Sequence, residues 1–188
     1  MKKIKRGFTL IELLIVIALL GALAVALLAA LDPLEQIKKG TDTGIRNTVG
    51  EIQSSMVRYT ALQGGQLPFT GTVSFEAIGT AGTTPAYSAL QTVISAGELK
   101  SDFLQLSGGQ LANVFVTGVN DAGNQIVNVC YQPSAKSFRT DVNTKFILGT
   151  GGAAGGSVIE DTTGVANGGC PQATGTNASG ATCYWCVR

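Results

Sequence analysis

The sequence has 188 residues, with 13 Lys and Arg against 12 Asp and Glu and no His. Four of the 13 cations precede Gly7, which leaves nine cations against 12 acids in the rest of the chain and argues against a basic nucleic-acid-binding protein. Without His, Ser–His and Cys–His catalysis is excluded and the commonest zinc ligand is missing, so we expect no enzyme and no resident cofactor.

The chain begins with cations that precede a long apolar run. This run extends from Phe8 to Leu31 and is broken in polarity only by Thr9 and Glu12. As a helix rising ~1.5 Å per residue it would measure about 36 Å, enough to cross a hydrocarbon core of about 30 Å. The cations should stay on the cytoplasmic side, so the rest of the chain would face out.

Glu12 is the unusual residue of this run. A carboxylate inside a membrane segment costs roughly 2.5 to 3.5 kcal/mol even on lenient scales, so it indicates a function. The alternative is that Glu12 only snorkels to the nearby cytoplasmic interface, because it lies near the start of the apolar run.

Three interpretations of the start compete. A secretory signal would be cut after a small-residue site such as Ala24-Val25-Ala26, and a plain anchor would not be cut. The stretch from Arg6 to Leu14, RGFTLIELL, closely resembles the leader and cleavage site of type IV prepilins and pseudopilins. An ordinary signal or anchor has no reason to carry a Glu at this position, so we favour the pilin-like interpretation.

The resemblance implies a processing and assembly route. A prepilin peptidase would cut between Gly7 and Phe8, leaving residues 1–7 as the leader, and would methylate the new Phe8 amine. The amine would then neutralise Glu12 of an adjacent subunit in a homo-oligomeric helical filament built by a pilus or secretion machinery. From the residues alone, Gly7 allows close backbone approach to a protease, and Phe8 and Glu12 have helical i, i+4 spacing.

An amphipathic pattern continues beyond the membrane segment. Its apolar positions recur every three or four residues: Leu34, Ile37, Thr41, Ile45, Val49, Ile52, Met56 and Tyr59. The charged residues between them, Asp42 and Arg46 included, are predicted to face water. We therefore predict one continuous helix from Phe8 to Leu62, bent by Pro33, with a membrane part (8–32) and an amphipathic part (33–62). Gly40, Gly44 and Gly50 each cost ~1 kcal/mol against Ala, so packing should hold this part.

Residues 63–188 are predicted to form an extracytoplasmic globular head of α+β class. A small antiparallel sheet would pack on the amphipathic helix, and a disulfide would close a C-terminal loop. The predicted elements are a possible edge strand (72–75), a short helix (87–99), strands at 113–117, 125–131, 137–142 and 145–148, turns at 119–124 and 133–136, and a Gly-rich loop (149–169).

Four cysteines, Cys130, Cys170, Cys183 and Cys186, lie in the C-terminal part of the chain. Zinc would need paired spacings, and a thioredoxin-like site would need a βαβ unit, so we favour two disulfides in an oxidising compartment. Three pairings are possible. Pilins commonly close their C-terminal loop with a disulfide, and we favour Cys130 with one member of the terminal pair and Cys170 with the other. Each would stabilise the fold by roughly 2 to 4 kcal/mol.

Two other motifs are weaker. Glu160 and Asp161 would help to bind Ca²⁺ if this chain followed the major pseudopilins, but its acids have no recognisable calcium-loop spacing. Asn177-Ala178-Ser179 fits a glycosylation sequon, which we interpret as a chance triplet.

The sequence thus predicts a structural subunit of a type IV pilus-like filament. It would be a single-pass inner-membrane protein before assembly and part of a surface filament afterwards. The alternatives are a pseudopilin of a type II secretion system and a minor pilin that binds DNA or a surface.

Overall fold

The structure is a computed structural model that describes residues 7–30, 32–79, 82, 84–121, 124–149 and 158–188. It falls into two units, Met1–Ile37 and Lys38–Arg188. The helices are α1 (Leu10–Ala30), α2 (Pro33–Leu62), α3 (Pro85–Ser95), α4 (Phe103–Leu111) and α5 (Lys136–Arg139). The strands are β1 (Gly71–Ala77), β2 (Val114–Asp121), β3 (Asn124–Tyr131), β4 (Phe146–Leu148), β5 (Val158–Glu160) and β6 (Trp185–Val187).

Helix α1 is apolar over its whole surface except at Glu12 in its first turn. None of its side chains is buried within the structure, and it is long and apolar enough to cross a membrane. Over the described ranges, no other helix meets that test. The predicted membrane segment is thus present as a helix, with Leu31 outside the described residues.

The expectation of one continuous helix from Phe8 to Leu62 is wrong. Helix α1 ends at Ala30 and α2 begins at Pro33. The Glu35 N–H donates to the Asp32 carboxylate (3.2 Å), and Pro33 occupies the first helical position, where its missing N–H costs no bond. Asp32 and Pro33 therefore start a second helix rather than bend the first.

The predicted end of the helix is confirmed at Leu62. Gly64 follows with a φ of +64°, a left-handed conformation that glycine adopts without steric cost. The Gly65 N–H then donates to the Thr60 carbonyl oxygen (2.8 Å). This bond satisfies one of the carbonyl groups that every helix leaves unpaired at its end.

One face of α2 is buried in the second unit. Ile45 is 3 % exposed, and Val49, Ile52 and Met56 are fully buried, as their spacing predicted. Gly44 lets α4 approach this helix, because a Cβ there would lie 3.2 Å from the Gln110 side-chain nitrogen. Packing by distant segments therefore accounts for Gly44, whereas Gly40 and Gly50 face open space.

The main sheet has four strands in the order β1–β2–β3–β6, and each neighbouring pair is antiparallel. The predictions of strands at 113–117 and 125–131 are confirmed by β2 and β3, and the possible edge strand at 72–75 by β1. The short helix predicted at 87–99 is confirmed as α3. It begins earlier because Thr84 caps it, accepting a hydrogen bond from the Tyr87 N–H.

The strand predicted at 137–142 is wrong, because this stretch contains α5 and a turn. The N–H groups of Ser134 and Ala135, just before α5, bind the buried Asp42 carboxylate, and the Ala135 carbonyl accepts from Phe138 and Arg139. The sequence also missed α4, since Ser107, Gly108 and Gly109 hide its apolar spacing.

A second, two-stranded sheet consists of β4 and β5. A strand near β4 was expected, but β5 lies within the stretch 149–169 that was predicted to be a loop. A small second core packs here, formed by Cys130, Phe146, Val158, Tyr184 and Cys186 against Phe75 and Phe115. The larger core lies between α2, α3, α4 and the main sheet. The predicted α+β class is confirmed.

The buried face of α2 makes a testable contribution to stability. We expect Ile52→Ala to lower the free energy of unfolding of the second unit by about 2 to 5 kcal/mol, because it leaves a cavity in a closed core. Urea unfolding of the full chain in detergent micelles, followed by fluorescence of the single Trp, Trp185, would measure this.

The matched control is Leu106→Ala on α4, where the side chain is 80 % exposed. It should change the unfolding free energy by less than about 0.5 kcal/mol. Equal effects of the two substitutions would contradict the assigned packing.

Candidate functional site

The predicted cut site lies directly before α1. Gly7 and Phe8 belong to no helix or strand, and the Phe8 side chain is 78 % exposed. A Cβ built on Gly7 would meet nothing within 4 Å. The Gly7–Phe8 peptide bond is thus not enclosed by any other part of the described chain.

Glu12 is bonded to Thr9 at the first turn of α1. The Thr9 N–H donates to Glu12 Oε2 (2.9 Å), and the Thr9 hydroxyl donates to the same oxygen (2.6 Å). In return the Glu12 N–H donates to Thr9 Oγ1 (3.3 Å). This reciprocal pattern is a capping box, in which a Thr before the helix and a Glu three residues later satisfy each other's N–H groups.

Phe8 and Glu12 do not lie on one helix face as expected, because the helix starts after Phe8. Their i, i+4 spacing was expected to place them on one helix face, but α1 begins at Leu10, so Phe8 precedes the helix. The pairing of Glu12 with the Phe8 amine of another subunit stays a prediction. The sequence Thr9-Leu10-Ile11-Glu12 has the pattern of a capping box, so this feature was predictable from the sequence alone.

The cysteines form two disulfides, Cys130–Cys186 and Cys170–Cys183. This pairing has the form that was favoured, with Cys130 and Cys170 each joined to one member of the terminal pair. Cys130 and Cys186 lie opposite each other in the register of β3 and β6, so the first disulfide links neighbouring strands. The second closes the C-terminal loop onto itself. All four cysteines are buried.

Asp161 organises the loop that the second disulfide closes. Its Oδ1 accepts bonds from the Thr163 N–H and hydroxyl, and its Oδ2 accepts bonds from the Cys170 N–H (3.0 Å) and the Asn177 amide (3.0 Å). The bond from the Thr163 hydroxyl contributes most to lowering the pKa of Asp161. Burial opposes this bond, but together with the bonds from Asn177 and Cys170 it lowers the pKa to about 2.

The two acids considered together for calcium have separate partners. Glu160 forms an ion pair with Lys145 (2.6 Å), whereas both oxygens of Asp161 accept hydrogen bonds from the loop. Among the described residues, no group of three or more His, Cys, Asp or Glu is arranged to hold a metal ion.

The Asn177 side chain belongs to the same network as Asp161. Its amide nitrogen donates to Asp161, and its Oδ1 accepts bonds from the N–H groups of Ser179 (3.1 Å) and Ala181 (2.9 Å). The sequon residue is thus part of the turn that shapes the loop.

Asp42 was expected to face water, but it is fully buried. Its carboxylate accepts bonds from the Ser134 N–H and hydroxyl and from the Ala135 N–H (2.7 Å). The prediction was wrong because these partners lie more than 90 residues further along the chain, where no helical pattern can indicate them.

Arg46 lies one helical turn after Asp42 and was likewise expected to face water, but it is only partly exposed. Its guanidinium carbon is 4.5 Å from the centre of the Phe138 ring and 4.6 Å from that of Trp185, and it forms an ion pair with Asp141 (2.8 Å). Burial tends to raise the pKa of Asp141, but the Asn143 amide and Arg46 outweigh it and leave that pKa below its ordinary value. Arg46 thus links α2 to α5 and β6.

These features define a protein with one N-terminal helix suited to a membrane and a disulfide-bonded α+β unit. Residues 2–28 match the family model of the prokaryotic N-terminal methylation motif, the prepilin-type signal of type IV pilins and pseudopilins. The resemblance read from residues 6–14 is therefore confirmed. No curated protein and no solved structure matches the chain. The match ends within α1, so it supports a type IV pilin-like or pseudopilin protein but does not extend to the rest of the chain.

The lowered pKa of Asp161 predicts a pH dependence. A carboxylate whose pKa is lowered on folding stabilises the fold fully at pH values above its ordinary pKa, near 3.8. This contribution is lost as the pH falls towards the folded pKa of about 2. We expect Asp161→Asn to lower the unfolding free energy at pH 7 by about 2 kcal/mol. Between about pH 4 and pH 2, the variant should lose less stability than the wild type.

Urea titrations of both proteins at several pH values, followed by Trp185 fluorescence, would measure the difference. Glu160→Gln is the matched control, because this neighbouring acid is exposed and forms an ion pair with Lys145 instead of accepting bonds from the loop. An acid response of Asp161→Asn identical to that of the wild type would rule out the role assigned to Asp161.

Proposed function

We propose that the chain is a structural subunit of a type IV pilus-like filament. The observation that carries the proposal is the methylation motif at residues 2–28, whose apolar part forms the helix α1. A prepilin peptidase would remove residues 1–7 by cutting between Gly7 and Phe8 and would methylate the Phe8 amine. Because the cut precedes α1, the helix is kept, whereas a secretory signal would lose it.

The exposure of α1 supports assembly with other copies. Its surface carries large apolar side chains that are not buried among the described residues, Leu13, Ile17, Leu20 and Leu27 among them, each more than half exposed. Such a surface is stable only in lipid or against another apolar surface. The helix would first anchor the subunit in the inner membrane and then pack against the same helix of neighbouring subunits in a helical filament.

Glu12 would set the register of that packing. Each subunit has one carboxylate in α1 and, after cleavage, one amine at Phe8. A buried charge pair is favoured only when both partners are present, so an incoming subunit would be stable where its charge meets the complementary one. Assembly would also need the machinery that draws subunits from the membrane.

The second unit would lie on the extracytoplasmic side. The four cations before α1 favour retention of the N-terminus in the cytoplasm, and two disulfides are typical of proteins exported to an oxidising compartment. After assembly the protein would be part of a filament at the cell surface.

The alternative is a pseudopilin of a type II secretion system, because the same N-terminal signal serves pilins and pseudopilins. A minor pilin that binds DNA or a surface would share the signal as well. Electron microscopy of cells expressing the chain distinguishes these functions. Long surface filaments built from this chain support the first, and their absence in a cell that secretes through the system supports the second.

The cut site gives a direct prediction. We expect Gly7→Val to block leader removal, because a branched side chain would keep the extended backbone out of the peptidase cleft. Intact mass measurement of the membrane-extracted chain would show loss of residues 1–7 in the wild type and no loss in the variant.

Gly21→Val is the matched control, since Gly21 lies within α1 and a Cβ there meets nothing within 4 Å. It should be processed like the wild type. Normal processing of Gly7→Val would exclude this cut site.

The charge of Glu12 gives a second prediction. We expect Glu12→Gln to insert and to lose its leader normally but to form at least about tenfold fewer filaments, because the neutral amide cannot pair with a buried ammonium. Quantification of the chain in sheared filaments against the chain in membranes would measure this. Glu51→Gln, at an exposed acid of α2, is the control and should assemble normally. Wild-type filament levels from Glu12→Gln would disprove the registration role.

A further inference from the structure

We propose that Thr9 is the positioning residue for Glu12, a role that rests on the proposed function in filament assembly. Thr9 would hold one oxygen of the carboxylate within the subunit and leave the other for the amine of a neighbouring subunit. The carboxylate would then be presented at the start of α1 instead of turning towards water at the membrane interface.

The geometry assigns the two carboxylate oxygens different tasks. Both bonds donated by Thr9, from its N–H (2.9 Å) and its hydroxyl (2.6 Å), go to Oε2 of Glu12. Over the part of the chain that the structure describes, the hydrogen bonds of this carboxylate involve Oε2, and Oε1 accepts none. An ammonium group needs only one such oxygen, so the capping box and an intersubunit ion pair can exist together.

The return bond ties the side chain to the helix start. The Glu12 N–H donates to Thr9 Oγ1 (3.3 Å), and the Leu13 N–H donates to the Thr9 carbonyl oxygen (3.3 Å). The Thr9 hydroxyl therefore satisfies an N–H group that the first turn of α1 would leave unpaired, and the Thr9 carbonyl accepts the first bond of the helix. The same turn carries the positive end of the helix dipole, which favours a carboxylate there.

Local bonding matters more at this place than in water. The side chains around Glu12, including Ile11 and Leu13, are apolar and exposed, so lipid would surround them in the unassembled subunit. A Glu side chain without a local partner would turn to the nearest water, and its position would vary among subunits. The Thr9 bonds restrict it to one orientation before the neighbour arrives.

The test compares Thr9→Val with Thr9→Ser in the full chain, expressed with its peptidase and assembly machinery. Val has the shape of Thr but loses the hydroxyl, and with it two of the three capping-box bonds. Ser keeps them. Amide hydrogen exchange at Glu12 in detergent micelles reports on the box, and the amount of chain in sheared filaments reports on assembly.

We expect Thr9→Val to accelerate exchange at Glu12 by about fivefold, the change that follows from losing a threonine cap. It should reduce filament yield by a similar factor, and Thr9→Ser should stay close to the wild type in both measurements. Wild-type exchange and wild-type yield in Thr9→Val would overturn the inference.

Two Glu12 variants keep the inference testable if Thr9→Val alters leader cleavage. The Glu12→Gln side chain still has an oxygen that can accept both Thr9 bonds, so exchange at the Thr9 N–H should stay slow although the filaments are few. Glu12→Ala has no such oxygen, so it should lose both the slow exchange at the Thr9 N–H and the filaments. Exchange at the Thr9 N–H as fast in Glu12→Gln as in Glu12→Ala would overturn the positioning role.

The same data separate this inference from the proposed function. A wild-type chain that is cleaved but never enters a filament would refute the filament function, whatever its exchange rate. A wild-type chain that forms filaments and exchanges at Glu12 as fast as Thr9→Val would refute only the role of Thr9.

Discussion

The buried face of α2 is the contact on which the second unit depends. The apolar area of this face comes from Ile45, Val49 and Ile52. Their spacing alone would allow the sheet to pack at more than one position along the helix. Asp42 removes that freedom, because a buried carboxylate is tolerated only where donors satisfy it, and those donors are the N–H groups of Ser134 and Ala135. One polar residue thus sets the register of a largely apolar interface.

The C-terminal region follows from a different constraint. Its Gly-rich sequence offers little apolar surface, so it cannot form a core of its own. Two disulfides and the four bonds to Asp161 hold it instead.

The N-terminal segment combines its functions within a few consecutive residues. The Gly7–Phe8 bond, the Thr9–Glu12 capping box and the apolar helix follow one another along the chain. Nearly all the features of this segment can therefore be predicted from residues that are close in sequence, and the motif match at residues 2–28 agrees with them. The capping box shows that a carboxylate in an apolar helix can have a hydrogen-bond partner within its own chain.

By itself the sequence determined whatever depends on neighbouring residues: the prepilin-type signal, the apolar helix, the end of α2 at Leu62 and the β2–β3 hairpin strands. Only the tertiary structure decided the burial of Asp42, the helical form of 136–139 and the separate β4–β5 sheet. Each of these depends on partner residues tens of positions away in the chain. Those partners cannot be inferred from a local stretch of sequence. Asp42 and Arg46, for example, have the spacing of charges that face solvent. In the folded chain, however, Asp42 is bonded to Ser134, and Arg46 lies over the rings of Phe138 and Trp185.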